Sequence, residues 1–255
     1  SGAHSETHGY THGGRNTASS TSNVIEKFPF ASQTNATDIA DLTRNRRLAG
    51  GHSTETHGYS SGGHDYTTSP LQCNTIDKHE FATDGNATDH GDLTVAREAC
   101  ASASSLTQGY VAGGSFPPYN VNNTQNVIDR FVFASNANAT DWADLNTASQ
   151  YSAGTSSTTH GYCSGGYSAT SYSSFNIIQK YSFASNANAT DVGDLTVARS
   201  FVSGVSGTTH GYTAGGESGA GSHNQIDKFT FASDNDATDV GDINHGLTSS
   251  VGIED

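Results

Sequence analysis

THGYTHGG at Thr7 to Gly14 returns as THGYSSGG at Thr56 to Gly63, TQGYVAGG at Thr107 to Gly114, THGYCSGG at Thr159 to Gly166 and THGYTAGG at Thr209 to Gly216. Its first glycine stands at positions 9, 58, 109, 161 and 211, so the segment recurs every 49 to 52 residues across a chain of 255. Self-similarity at this period marks a chain of stacked supersecondary units, none of which buries its apolar surface alone.

Working outward, each copy is followed by a Ser-, Asn- and Gly-rich stretch of variable length and then by VIEKFPFAS, TIDKHEFAT, VIDRFVFAS, IIQKYSFAS or QIDKFTFAS. β-Branched and aromatic enrichment predicts a strand here. The alternation is not strict: Ile226, Lys228 and Thr230 would share one face, with Asp227, Phe229 and Phe231 on the other. Next comes NATDIADL (Asn35 to Leu42), then NATDHGDL, NATDWADL, NATDVGDL and finally DATDVGDI (Asp236 to Ile243). Asn, Asp and Thr side chains bond to nearby backbone, so this element reads as a turn leading into a short outer strand. TVAR (Thr94 to Arg97, Thr196 to Arg199) then runs into small residues that form the next strand.

Composition agrees. With 29 Gly, 33% hydrophobic and 14% charged residues, the chain favours turns and short strands over helices. Four short antiparallel strands in each of five units of about 50 residues predict an all-β, five-bladed β-propeller. The expectation is one domain over residues 1–255, with repeats near 1–48, 49–98, 99–149, 150–200 and 201–255. The tail Asn244 to Asp255 aligns with the strand after TVAR, which predicts that it supplies or completes the first strand of the N-terminal unit.

Several functions are disfavoured by charge and pattern. Eleven Lys plus Arg against 25 Asp plus Glu give a formal net charge of −14, contrary to the clustered cations that phosphate binding needs. No run of 18 apolar residues occurs, and no signal peptide is evident. The start at Ser1 and the lack of Met suggest a processed product or a stretch of a longer chain. Cys73, Cys100 and Cys163 occupy unrelated repeat positions without metal spacing, and read as small packed thiols.

The order of elements resembles kelch repeats: a strand ending in Gly-Gly, an Ile-x-Lys-Phe/Tyr strand, and a turn into an outer strand before the next Arg. The outer-strand Trp of that family is Leu in the GDL element here, and Trp142 sits elsewhere. The wording FAS-x-x-NATDVGDLTVAR with THGYTxGG is also similar to repeats in structural proteins of marine tailed bacteriophages, cyanophages in particular. The resemblance implies a non-enzymatic structural or adhesive module on a virion surface or tail, located on the virion or outside cells. Its partners would be other virion proteins and host-surface glycans or proteins, and self-assembly into an oligomer stays open. A secreted lectin-like propeller is the alternative, and a propeller oxidase the third reading.

Candidate sites follow the repeat or break it. His8, His57, His160 and His210, with Gln108 in the third copy, would either ring a ligand or each make a strand hydrogen bond. We prefer the second, because function in a propeller usually departs from its symmetry. The pairs Asp38 and Asp41, Asp89 and Asp92, Asp141 and Asp144, Asp191 and Asp194, and Asp239 and Asp242 suggest turn capping, with calcium as the other option. No cofactor is expected. Asn35, Asn86, Asn138, Asn188 and Asn122 fit a glycosylation acceptor pattern, yet Asp236 in the fifth copy fits a turn requirement better. Lys27, Lys78, Arg130, Lys180 and Lys228 share one strand position, and Arg97 and Arg199 another, where they would pair with repeat acids at the interfaces between units, as exposed pairs of little energetic weight. No catalytic motif appears. Ligand recognition is therefore expected in the variable loops Arg15 to Asn23, His64 to Asn74, Ser115 to Gln125, Tyr167 to Phe175 and Glu217 to Asn224, through Tyr66, Tyr119, Tyr167 and Tyr172.

Overall fold

The fold was obtained as a computed structural model that describes residues 1–15, 20–117 and 123–247. It is all-β, with five four-stranded antiparallel sheets, one per repeat, in the architecture of a five-bladed β-propeller. The first sheet holds β1 (Gly2–His4), β2 (His8–Arg15), β3 (Thr21–Pro29) and β4 (Thr37–Arg46), and the second holds β5 (Gly50–Ser53), β6 (His57–Ser61), β7 (Thr75–Glu80) and β8 (Thr88–Asp92). The third has β9 (Ala101–Ser104), β10 (Gln108–Ala112), β11 (Val127–Val132) and β12 (Thr140–Asp144). In the fourth, β13 (Ala153–Ser156) and β14 (His160–Ser164) precede a two-stranded ribbon, β15 (Tyr167–Ser168) and β16 (Ser173–Ser174), before β17 (Ile177–Ser182) and β18 (Thr190–Asp194). The fifth repeats that plan with β19 (Ser203–Ser206), β20 (His210–Ala214), the ribbon β21 (Glu217–Ser218) and β22 (Gly221–Ser222), β23 (Gln225–Thr230) and β24 (Thr238–Asp242).

Backbone contacts divide the chain into two compact units. One comprises residues 1–98, 106–109 and 130–140, and the other residues 99–105, 110–129 and 141–255. In the first unit, Ala3, Tyr10, Ile25, Leu42, Phe81 and Ala87 form a buried cluster. In the second, one cluster gathers around Tyr110, Ile128, Leu145 and Tyr181, and another around Tyr162, Ile178, Leu195 and Phe229.

The expectation that the C-terminal tail supplies the first strand of the first sheet is corrected. Gly2–His4 pairs with β2 in the register Gly2–Thr11, Ala3–Tyr10 and His4–Gly9, so the N-terminal residues supply their own first strand. Residues 248–255 of the tail lie outside the described residues.

The glycine of HGY has a packing reason. The third-strand ring of the same sheet lies across it, and a Cβ would stand 2.3 Å from Phe28 at Gly9, from Phe131 at Gly109 and from Tyr181 at Gly161. The first glycine of the GG pair turns the chain with a φ of 59° to 65° in all five copies, a conformation that costs other L-residues a steric penalty. The irregular alternation of the third strand also has a cause. A register shift follows Ile76 and Ile226, and such a bulge lets consecutive residues such as Ile76 and Asp77 both be buried.

Sheet-to-sheet contacts within each unit repeat one scheme. The HGY tyrosine packs its ring against the last aromatic of the following repeat's FxF: Tyr10 stacks on Phe81 at 4.5 Å between ring centroids, Tyr59 tilts by 34° against Phe133 at 4.8 Å, and Tyr110 stacks on Phe183 at 4.5 Å and Tyr162 on Phe231 at 5.0 Å. The NAT asparagine is more than a turn residue. Its Oδ1 accepts the amide of the previous repeat's second aspartate, in Asn86 to Asp41 (3.0 Å), Asn138 to Asp92 (3.1 Å) and Asn188 to Asp144 (3.1 Å). Asp236 does the same for Asp194 at 3.0 Å, which explains why Asp serves where the other copies have Asn: only an acceptor is needed. The next residue, Ala, donates its amide to the same aspartate's carbonyl at 2.8 Å in all four cases.

Candidate ligand cleft

The second unit carries a cleft of ≈ 570 Å³ lined by Gln150, Tyr151, Tyr167, Tyr172, Ser173, Ser174, Ala198, Ser200, Phe201 and residues 217–219. Local structure places these groups. The residue that follows the TVAR-type segment and one further position takes a left-handed backbone in four repeats: Leu48 (φ 53°), Ala99 (59°), Tyr151 (59°) and Phe201 (56°). This conformation is uncommon for bulky side chains. Its recurrence shows that the link between repeats demands it. Hydrogen bonds hold the link, with Tyr151 N donating to Ala99 O and Phe201 N to Tyr151 O, both at 2.9 Å.

Only Tyr151 and Phe201 put aromatic rings at that link. They stack at 3.8 Å between centroids and 23° between planes, the closest ring pair among the described residues, and both are half-buried. The β15–β16 ribbon adds to the same lining Tyr167, half-buried, and Tyr172, 70% exposed. Polar groups complete the wall. Gln150 and Tyr167 exchange backbone hydrogen bonds, as do Ser200 and Glu217, so both bases of the ribbons are anchored. Ser174 Oγ donates to Ser200 Oγ at 3.1 Å. The side-chain oxygen of Gln150, a residue 5% exposed, receives no protein donor.

The arrangement suits a flat, hydroxylated ligand. Two stacked rings and the exposed Tyr172 offer apolar faces, and serine hydroxyls, the Gln150 oxygen and the Glu217 carboxylate offer polar contacts.

The loop tyrosines are thus divided. Tyr167 and Tyr172 meet in this cleft, whereas Tyr119 lies outside the described residues, as does Asn122. Tyr66 belongs to the first unit and is engaged there: its ring takes the edge of His64 at 4.5 Å, the Arg47 guanidinium at 4.5 Å and that of Arg15 at 5.9 Å. Beside it, Asp65 is 1% exposed. Burial pushes its pKa up, but hydrogen bonds from the Thr67 hydroxyl and amide, Arg44 and Thr21 outweigh this and bring it down to about 2. Tyr151 and Phe201 were missed in sequence reading, since a residue after TVAR looks like strand rather than loop. The signal was present, because two aromatics replace Leu48 and Ala99 at one repeat position.

The remaining candidates have structural partners. His8, His57, His160 and His210 each place Nδ1 2.8 Å from the hydroxyl of the preceding threonine. The first aspartate of the pair bonds locally, Asp89, Asp191 and Asp239 accepting the amides of Gly91, Gly193 and Gly241. Among the described residues no group of three His, Cys, Asp or Glu converges as a metal site would require. Cys73, Cys100 and Cys163 are thiols, with Cys73 and Cys163 buried. The arginines at the TVAR position pair with repeat acids as expected, but buried and not exposed. Arg199 with Asp227, and Arg46 with Asp77, form ion pairs of 3.0 Å with both side chains fully buried. Lysines at the other position do pair near the surface, Lys27 with Asp84 at 2.8 Å and Lys180 with Asp234 at 2.5 Å.

No helix among the described residues is long and apolar enough to cross a membrane. The chain matches no protein-family model and no curated protein.

Proposed function

We propose that this chain is a non-enzymatic binding module whose aromatic cleft in the second unit receives a saccharide, in keeping with an adhesive component of a phage virion surface or tail. The observation that carries the reading is the stacked Tyr151–Phe201 pair, which lines one open, serine-rich cleft together with Tyr167 and Tyr172. Stacking of a sugar's C–H face on such rings, with hydroxyls satisfied at the rim, needs no metal and no catalytic pair. The virion assignment rests on the resemblance of the FAS-x-x-NATDVGDLTVAR wording to phage structural repeats.

A glycan array probed with the purified chain, with and without calcium, tests the saccharide. Selective binding that Phe201→Ala and Tyr172→Ala abolish supports the cleft. An array without signal in either condition sinks it and moves weight to a purely structural part whose contacts are other proteins. Signal that depends on calcium would return the aspartate pairs to consideration.

A further inference from the structure

The cleft of the second unit is one-sided in charge. Among the described residues Glu217 is the one charged residue that lines it, and its carboxylate has neither an ion pair nor a hydrogen-bond donor there. Arg199 lies in sequence between the lining residues Ala198 and Ser200, but its side chain is fully buried and paired with Asp227 at 3.0 Å, so it offers the cleft no positive charge. A concave site walled by apolar rings and carrying one uncompensated sign of charge draws the opposite charge to it.

This combination breaks the repeat. At the links between repeats, an antiparallel bridge joins Arg47 to His64, Gln150 to Tyr167 and Ser200 to Glu217. The left-handed residue that follows is Leu48 at the first of these links, Tyr151 at the second and Phe201 at the third. Of the three, only the last sets an acid beside an aromatic. Glu217 and Ser200 exchange backbone hydrogen bonds of 2.9 and 2.8 Å, which hold the acid's backbone against the residue that precedes Phe201.

Two further features describe the cation. Gln150 Oε1 is enclosed, in a residue 5% exposed that lines the same cleft, and receives no protein donor. A buried acceptor in that state carries a penalty that an N–H or O–H of a ligand removes. The rings of Tyr151, Phe201, Tyr167 and Tyr172 present faces whose negative quadrupole attracts an ammonium group. Acceptors and ring faces therefore dominate, with serine hydroxyls able to serve in either sense.

We propose, building on the saccharide reading above, that the cleft selects an amino sugar, a hexosamine whose nitrogen is free and protonated. The Glu217 carboxylate receives the ammonium, the C–H face of the sugar lies on the aromatic rings, and a ligand hydroxyl or N–H donates to Gln150 Oε1. N-Acetylation removes the positive charge and with it the contact to Glu217. Carboxylated and sulfated sugars are rejected, because they set a second anion against Glu217 with no cation to offset it.

Isothermal titration of the full chain with three trisaccharides of one linkage tests this: β-1,4-linked glucosamine, its fully N-acetylated form and the glucose analogue. The glucosamine trisaccharide should bind about tenfold or more tighter than either neutral sugar, the margin of one ionic contact reinforced by ring faces. Glu217→Gln should bring the three affinities within about twofold of one another, and Glu217→Asp should keep the preference. Circular dichroism checks that both variants retain the β signature, and the comparison of sugars on the native chain depends on no variant. General attraction of a cationic sugar to a chain of net charge −14 would survive Glu217→Gln, and that outcome overturns the proposal. So does a native chain that binds the N-acetylated or glucose trisaccharide as tightly as the free amine, or that does not bind the amine at all. Those results remove the amino-sugar assignment alone, whereas the saccharide reading falls only with a silent glycan array.

Discussion

The contact between the third and fourth repeats and that between the fourth and fifth do the same job with different chemistry. In the latter, Asp227 accepts the Thr196 amide at 2.9 Å and hydroxyl at 2.6 Å, and pairs with Arg199, whose other terminal nitrogen donates to Thr213 O at 3.0 Å. In the former, Gln179 takes the acid's place, accepting the Thr147 amide at 2.7 Å and donating to Thr147 O at 3.2 Å, while Ser149 stands in for the arginine. Both charges are missing together. What the fold requires at this spot is a satisfied acceptor for a strand-end amide, and the ion pair is one solution. A buried pair can often be exchanged for a neutral one at little cost, but a buried charge left alone is expensive.

The comparison can be broken in a graded way. Asp227→Ala strands the Arg199 guanidinium and should cost about 3–5 kcal/mol by chemical denaturation, the usual penalty for removing one member of a buried pair. Gln179→Ala, which leaves only neutral groups without a partner, should cost about 1–3 kcal/mol. Equal losses would show that charge is not what distinguishes the two contacts.

Acid should act on yet another contact, that between the first two repeats. His12 Nε2 and His79 Nε2 lie 2.9 Å apart and are both buried, so one donates and the other accepts, and each is neutral. Burial, then repulsion from neighbouring His57, brings the His79 pKa down to about 4, and burial with repulsion from His79 lowers that of His12 well below its usual value. With folded pKa values below the unfolded value near 6.5, the unfolded chain binds more protons between them. Stability is therefore complete above about pH 6.5 and falls as the pH drops toward about 4, by on the order of 3 kcal/mol for His79. Equivalent positions hold Phe28, Phe131, Tyr181 and Phe229. His79→Phe should flatten the acid limb of stability plotted against pH, and an unchanged limb would place the sensitivity elsewhere.

Grafting the neutral solution sharpens the first comparison. Arg199→Ser combined with Asp227→Gln should recover most of the loss seen in Asp227→Ala, ending within about 1–2 kcal/mol of the native chain. Failure to recover would mean that the backbone bonds of Arg199 carry the stability. The smallest stability effect is expected at the cleft: Tyr172→Ala, at an exposed ribbon tip, should change unfolding free energy by less than about 0.5 kcal/mol. The same change should weaken saccharide binding at least about tenfold, a difference of about 1.4 kcal/mol.

Much of the fold was legible before any coordinates, and the parts that were not share a cause. The HGY and GG glycines, the FxF strand and the NATD element are local sequence patterns, and each lies where its pattern placed it. The arginines at the TVAR position read as members of exposed pairs with repeat acids, because a sequence shows the acid at Asp77 or Asp227 about 30 residues away without showing that both are enclosed. Likewise, Asp236 for Asn188 looks like a turn-tolerant exchange until the amide of Asp194 is seen to need an acceptor. Of the proposed ligand residues, Tyr167 and Tyr172 could be picked out because their loop varies between repeats. Their partners Tyr151 and Phe201 could not, since they come from links 50 residues apart that meet only when two sheets stack.

By itself, then, the sequence determined five repeats, four strands in each and the residues every turn requires, since these follow from periodicity, side-chain shape and backbone strain within a few residues. Tertiary structure alone decided which repeated groups touch across sheets, which charges are buried and where two non-equivalent aromatics make a cleft. Those outcomes depend on distances between residues far apart in the chain, set by the packing of whole sheets, and a linear pattern does not contain them.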